Sequence, residues 1–105
     1  MAQKVLIDTF VVPEESRAMF LDRSRQVQAF LRTLPGFVEG FLYEKVEGTG
    51  RFNVVTTAVW ENEAAYENAK KLAAEEFRKT GFDAQEMMKR LKIEVERAAY
   101  HRSPY

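Results

Sequence analysis

Asp8, Thr56, Trp60, Tyr66 and a set of phenylalanines are the residues through which this chain could do chemistry. Asp8 lies in Lys4-Val5-Leu6-Ile7-Asp8-Thr9-Phe10-Val11-Val12, where strand alternation places it on one face with Leu6, Phe10 and Val12. A carboxylate on such an apolar face is a candidate general base towards a phenol or an activated carbon acid. It could equally be a paired carboxylate, with Arg97 of the last apolar run as partner. Tyr66 joins a hydroxyl to an aromatic body, so its oxygen can reach a cavity while its ring packs. Trp60, the single tryptophan, offers a flat face for stacking, although a large aromatic at a strand end also plugs the gap between sheet and helix. Thr56 shares the face of Trp60, and its hydroxyl would orient a ligand there or bond to backbone. Phe41 and Phe77, with Met87 and Met88, would line an adaptable apolar pocket or simply pack.

Other chemistries find little to stand on. The chain has no cysteine, which removes disulfides, thiolate metal sites and a thiol nucleophile. Its one histidine, His101, lies near the carboxy terminus and cannot build a two-histidine metal triad. Gly48-Thr49-Gly50 lacks the longer glycine spacing and following helix of a dinucleotide site and reads as a loop. No metal, flavin or nicotinamide is expected.

The elements that must position these residues are those of a small protein. A chain of 105 residues suits one domain, 1–105, which at this size buries roughly two-thirds of the surface exposed by the unfolded chain. A sizeable pocket would then cost stability unless an oligomer restored it. Sixteen basic and sixteen acidic residues cancel, so nucleic acid is not an expected partner. No run approaches the roughly 20 apolar residues that span a bilayer. The amino-terminal residues lead straight into Val5-Leu6-Ile7 with no signal-peptide pattern, so a cytoplasmic protein is the default expectation.

Lys4 to Val12 predicts a strand ending at Pro13. Its apolar residues fall on both faces, with Val5, Ile7 and Val11 opposite Leu6, Phe10 and Val12, so both faces are expected to be covered. The acidic pair Glu14-Glu15 and the spacing of Phe20, Val27, Phe30, Leu31 and Leu34 predict a helix over 14–33. Leu34-Pro35-Gly36-Phe37 then turns the chain, with glycine supplying a positive φ. Phe37 to Val46 and Arg51 to Trp60 predict a hairpin. Asn62 caps a second helix whose stripe is Ala65, Ala69, Leu72, Ala73 and Phe77, with Glu67–Lys71 and Glu75–Lys79 pairs on its surface. Thr80-Gly81 ends it, Asp83 to Glu86 opens a short helix, and Ile93, Val95 and Ala99 mark a last strand. The order β-α-β-β-α-β predicts an α+β ferredoxin-like sandwich, a four-stranded antiparallel sheet with both helices on one face. The bare face would associate with a second copy, face to face as a dimeric barrel or by its edge.

Leu34-Pro35-Gly36-Phe37 with Gly40, and Val59-Trp60-Glu61 with Ala65-Tyr66, resemble the antibiotic biosynthesis monooxygenase family over nearly the whole chain. The resemblance implies a dimeric α+β barrel with a pocket between sheet and helices in each subunit. One branch oxidises polycyclic aromatic phenols with oxygen and neither metal nor flavin, the substrate supplying the carbanion that meets oxygen. Its members resemble this chain in the aromatic pair at Trp60 and Tyr66. The haem-degrading branch uses a histidine on the second helix and an asparagine near the end of the first strand. Here the helix has Phe77-Arg78-Lys79 and the strand has Asp8, which argues against haem. The expectation is therefore an oxygenase acting on an aromatic or polyketide-like molecule, with Asp8 and Tyr66 catalytic and Trp60, Thr56, Phe41 and Phe77 at the substrate. A non-catalytic dimer that binds a small apolar ligand, and an isomerase or cyclase on the same fold, are the alternatives.

Overall fold

The computed structural model describes residues 2–105. Strand β1 (Lys4–Val11) is followed by a single 3-10 turn (Glu14–Ser16) and helix α1 (Arg17–Leu31). Strands β2 (Phe37–Glu44) and β3 (Val54–Trp60), helices α2 (Glu63–Thr80) and α3 (Ala84–Arg90), and strand β4 (Glu94–His101) complete the order. The four strands form one sheet in the order β2-β3-β1-β4, with every neighbouring pair antiparallel. This is the ferredoxin-like α+β arrangement.

Local chemistry explains most boundaries. The helix predicted over 14–33 begins instead as a 3-10 turn, because Ser16 leaves helical geometry (φ −100°, ψ −6°) while its hydroxyl donates to the Leu91 carbonyl at 2.9 Å. Asn62 caps α2 by accepting from the Ala65 amide at 2.8 Å, and Gly81 ends it in the left-handed region at φ 76°. Asp83 caps α3 by accepting from the Glu86 amide at 3.1 Å. On α2, Glu67 pairs with Lys70 at 3.3 Å rather than with Lys71.

The hairpin strands are shorter than their apolar runs suggest, because Asn53 is diverted to a different task. Its side-chain oxygen accepts from the Val12 amide at 2.8 Å and its side-chain nitrogen donates to the Val12 carbonyl at 2.9 Å. Val12 is buried, so these bonds satisfy backbone groups that water cannot reach. Asn53→Ala is expected to lower the unfolding free energy by about 1–3 kcal/mol, read from urea denaturation.

The sheet separates two unlike faces. Helices cover the inner face, where Leu6, Asp8 and Phe10 of β1 meet Thr56 and Ala58 of β3 and Val95 and Arg97 of β4. The apolar interior there falls into two clusters. One joins Phe10, Val12, Phe20, Leu21, Val54, Met87 and Ile93, and the other joins Ala58, Trp60 and Ala69 with Leu6, Leu31, Leu34, Phe37, Ala65 and Tyr66 around them. Among the described residues, no element covers the outer face. Phe41, Tyr43 and Tyr100 stand exposed on it beside half-buried Val5, Ile7, Val55 and Val59, with the Phe41 and Tyr43 rings 6.1 Å apart.

Candidate functional site

A cavity of about 510 Å³ lies between the inner face of the sheet and the helices. Members of both clusters line it: Leu6, Leu31 and Ala58 from one, Phe10, Phe20, Phe82, Met87 and Met88 from the other. The cavity is thus the gap that keeps the interior from forming one contiguous core. Its polar lining includes Asp8, Arg97, Arg23, Ser24, Gln28, Thr56 and Gln85.

Asp8 and Arg97 face each other across the β1–β4 register, and their side chains meet in two parallel hydrogen bonds. Arg97 Nε donates to Asp8 Oδ1 and Arg97 Nη2 donates to Asp8 Oδ2, both at 2.8 Å. The Asp8 side chain is 9% exposed, whereas that of Arg97 is 66% exposed. The carboxylate therefore sits in the wall, and the guanidinium reaches from it towards solvent. The hydrogen bond from Arg97 to Asp8 raises the arginine above its ordinary pKa against the opposing effect of burial, with smaller contributions from the charge of Asp8 and the nearby Tyr66 oxygen. Arg97 stays a cation throughout the working range of pH.

Gln28 belongs to the same wall. Its amide nitrogen donates to the Thr57 carbonyl at 3.2 Å, while its buried amide oxygen has no hydrogen-bond partner among the described residues. That oxygen lies against Gly40, where a Cβ would come within 2.6 Å of it. On α1, Gln28 interrupts the apolar stripe between Val27 and Leu31, which is the sequence signal that marks it.

The residues singled out by type divide into those the cavity gathers and those it does not. Asp8, Thr56 and Phe77 line it, with Thr56 directly opposite Asp8 in the β1–β3 register. Phe77 is held there between Phe30 and Phe82, at centroid distances of 6.2 and 5.2 Å. Trp60 is not part of the lining: it is 2% exposed and packs edge-on to Phe37 at 5.3 Å. A bulge at Val38 in the β2–β3 pairing re-aims Phe37 onto that ring. Tyr66 also lies outside the lining, its ring beneath the ammonium groups of Lys4 and Lys70 at 5.1 and 4.9 Å. Lys4 in turn bonds Glu63 at 2.9 Å, which ties β1 to the first turn of α2. Phe41 is corrected from a pocket position to the outer face, because it pairs with Thr57 and so points away from the helices.

Residue type marks Arg97 only as a partner for Asp8, and it does not mark Arg23 or Gln28 as facing a cavity. The first needed strand register and the others needed the helix's rotation over the sheet. Among the described residues, no group of three or more His, Cys, Asp or Glu side chains is placed to hold a metal ion.

The sequence model of the antibiotic biosynthesis monooxygenase family matches residues 5–80. The chain belongs to that family. This antibiotic biosynthesis monooxygenase family member has its fold in common with several solved structures. SnoaB, a cofactor-independent oxygenase from Streptomyces nogalater, superposes with a TM-score of 0.69 at 20% identity, covering 100% of this chain and 97% of its own. A dimeric ferredoxin-like protein from an uncultured marine organism gives a TM-score of 0.73 at 11% identity, covering 100% and 99%. A candidate antibiotic biosynthesis monooxygenase from Deinococcus radiodurans gives 0.73 at 16% identity, covering 97% and 94%. At these identities the likeness is one of fold. No curated protein matches the chain in sequence. Among the described residues, no helix is long and apolar enough to cross a membrane.

Proposed function

We propose that this family member is a cofactor-independent monooxygenase that oxidises an aromatic or polyketide-like small molecule as a cytoplasmic homodimer. The observation that carries the proposal is the cavity: about 510 Å³, walled mainly by apolar and aromatic side chains, with Asp8, Arg97 and Thr56 placed together on one side. Ligand pockets for molecules of this class commonly span about 300–1,000 Å³ with a few convergent polar groups. The dimer is supported by the uncovered outer face and by the dimeric ferredoxin-like relative.

In this reading the substrate is a phenol with an acidic carbon. Asp8 still has two of its roughly four lone-pair sites unclaimed by Arg97, so it can accept the substrate's proton. The carbanion passes electrons to molecular oxygen and forms a carbon–oxygen bond. The resulting hydroperoxide loses its outer oxygen as water and leaves a carbonyl, so one CH2 and one O2 become one C=O and one H2O. Thr56 and the Phe77 ring would hold the substrate's plane against the sheet. Oxygen uptake by metal-free protein, measured against a panel of hydroxylated anthrones and naphthols, tests the proposal. The expected result is uptake with at least one anthrone, reduced at least tenfold by Asp8→Asn; no uptake above buffer across the panel rejects this substrate class.

One observation favours a second reading, a non-catalytic dimer that binds an apolar molecule. Both oxygens of Asp8 already accept hydrogen bonds from Arg97, an arrangement that suits a structural carboxylate. In that case Asp8→Asn keeps ligand affinity and no ligand is turned over.

A further inference from the structure

The ion pair leaves most of the Arg97 guanidinium unused. Of the five N–H groups a guanidinium carries, Asp8 takes one on Nε and one on Nη2, and the remaining three have no acceptor among the described residues. The Asp8 carboxylate that grips the group is itself part of the buried cavity wall, so the free donors are held at the cavity's rim in fixed orientation. A guanidinium anchored on one edge presents its other edge as a preformed fork for an oxyanion.

The charge of the lining points the same way. Asp8 is the one carboxylate among the described lining residues, while Arg23 and Arg97 are both cations, so the walls carry one net positive charge. Arg23 sits 3.8 Å over the Phe82 ring and donates to Gln26 at 2.8 Å, which holds this second cation at the helical wall. An apolar ligand with no charge would leave one of the two guanidinium charges in the lining uncompensated beside it. A ligand carrying one anionic oxygen group would neutralise the cavity.

We infer that the cavity selects an aromatic ligand bearing a single oxyanion, a carboxylate or a phenolate, and that Arg97 is the residue that binds this group while Asp8 positions Arg97. The inference rests on the reading that this cavity is the ligand site, and it is independent of whether oxygen chemistry follows. It also gives Asp8 a role in ligand recognition beyond its own proton chemistry.

Two fluorescent probes of nearly the same shape test it: 8-anilinonaphthalene-1-sulfonate, an anion, and N-phenyl-1-naphthylamine, its neutral counterpart. The wild-type protein is expected to bind the anion about tenfold more tightly than the neutral probe, the effect of one charge-assisted contact. Arg97→Gln should remove that preference and leave the affinity for the neutral probe within about twofold. A preference that survives in Arg97→Gln, or an equal loss of both probes in that variant, overturns the assignment. Wild-type protein with no preference for the anion also overturns it, and that measurement needs no variant to fold. Competition by 1-naphthoate and by ionised 2,4-dinitro-1-naphthol separates the two ligand chemistries. Stronger displacement by the first supports a carboxylate ligand and stronger displacement by the second a phenolate, whereas displacement by neither counts against the inference. Failure of oxygen uptake with the probe preference intact faults the oxygenase proposal alone, and the reverse pattern faults the anion site alone.

Discussion

Trp60→Ala is expected to lower the unfolding free energy by about 3–5 kcal/mol, with a fall in melting temperature of roughly 15 °C or more. The indole is 2% exposed and packs edge-on to Phe37, in a cluster with Ala58 and Ala69 that α2 closes from above. Removing it leaves a hole bounded by sheet and helix, two elements that cannot collapse together without disturbing the β2–β3 register. Trp60→Phe, which retains an aromatic partner for Phe37, should cost much less and should leave probe affinity at the cavity within about twofold, since the ring lies outside the lining. A Trp60→Phe protein of unchanged stability that binds the neutral probe tenfold more weakly would instead place the indole at the ligand. The pair of variants, read by thermal denaturation and fluorescence titration, separates packing from recognition.

Gly36→Ala is expected to destabilise the protein by about 2–4 kcal/mol, from two sources that can be measured apart. Gly36 holds φ 81°, a left-handed conformation that costs about 1–2 kcal/mol in a residue with a Cβ. A Cβ there would also come within 2.4 Å of the Ala65 Cβ, an atom fixed to the first turn of α2 with no flexible end to move aside. The Gly36 carbonyl further accepts from the Glu61 amide at 2.9 Å, so the turn before β2 and the corner after β3 are fastened to each other. Ala65→Gly in the Gly36→Ala background should recover the steric part, less the roughly 1 kcal/mol that glycine costs inside a helix, and leave the conformational part in place. Chemical denaturation of the two single variants and the double variant gives the coupling energy directly. An additive result would show that the turn yields and the two residues do not collide.

That contact gives the family-like pattern a physical meaning. Pro35-Gly36-Phe37 and Trp60-Glu61 with Ala65-Tyr66 are distant in sequence, yet Gly36 abuts Ala65 and Phe37 abuts Trp60. The pattern thus encodes the junction of a turn, a strand end and a helix start. It specifies the fold more directly than it specifies a reaction, which accords with the cavity lying elsewhere.

The element order was legible because each boundary is written in a few neighbouring residues. Asn62 caps its helix whatever it packs against, and Gly36 and Gly81 take the left-handed geometry that short turns require. The sequence pattern predicts longer hairpin strands than the structure has, because Phe52 and Asn53 look strand-compatible in isolation. Only the approach of Val12 gives Asn53 a better use for its amide.

Residue type and spacing in this chain establish the order of strands and helices, the two-faced character of β1, and a carboxylate at Asp8 on an apolar strand face. Those properties are local, since capping, alternation and turn geometry act between residues a few positions apart. Which aromatic residues reach the cavity is not local. Phe37 and Phe41 differ in face because a single bulge at Val38 breaks the alternation of β2 between them, so that Phe37 meets Trp60 while Phe41 pairs with Thr57 on the outer face. The partnership of Asp8 with Arg97 joins positions 89 apart and arises only when β4 docks beside β1. Folding thereby converts a lone candidate base into an anchored guanidinium at the rim of an apolar cavity, because a buried carboxylate must find a cation and the antiparallel register delivers one.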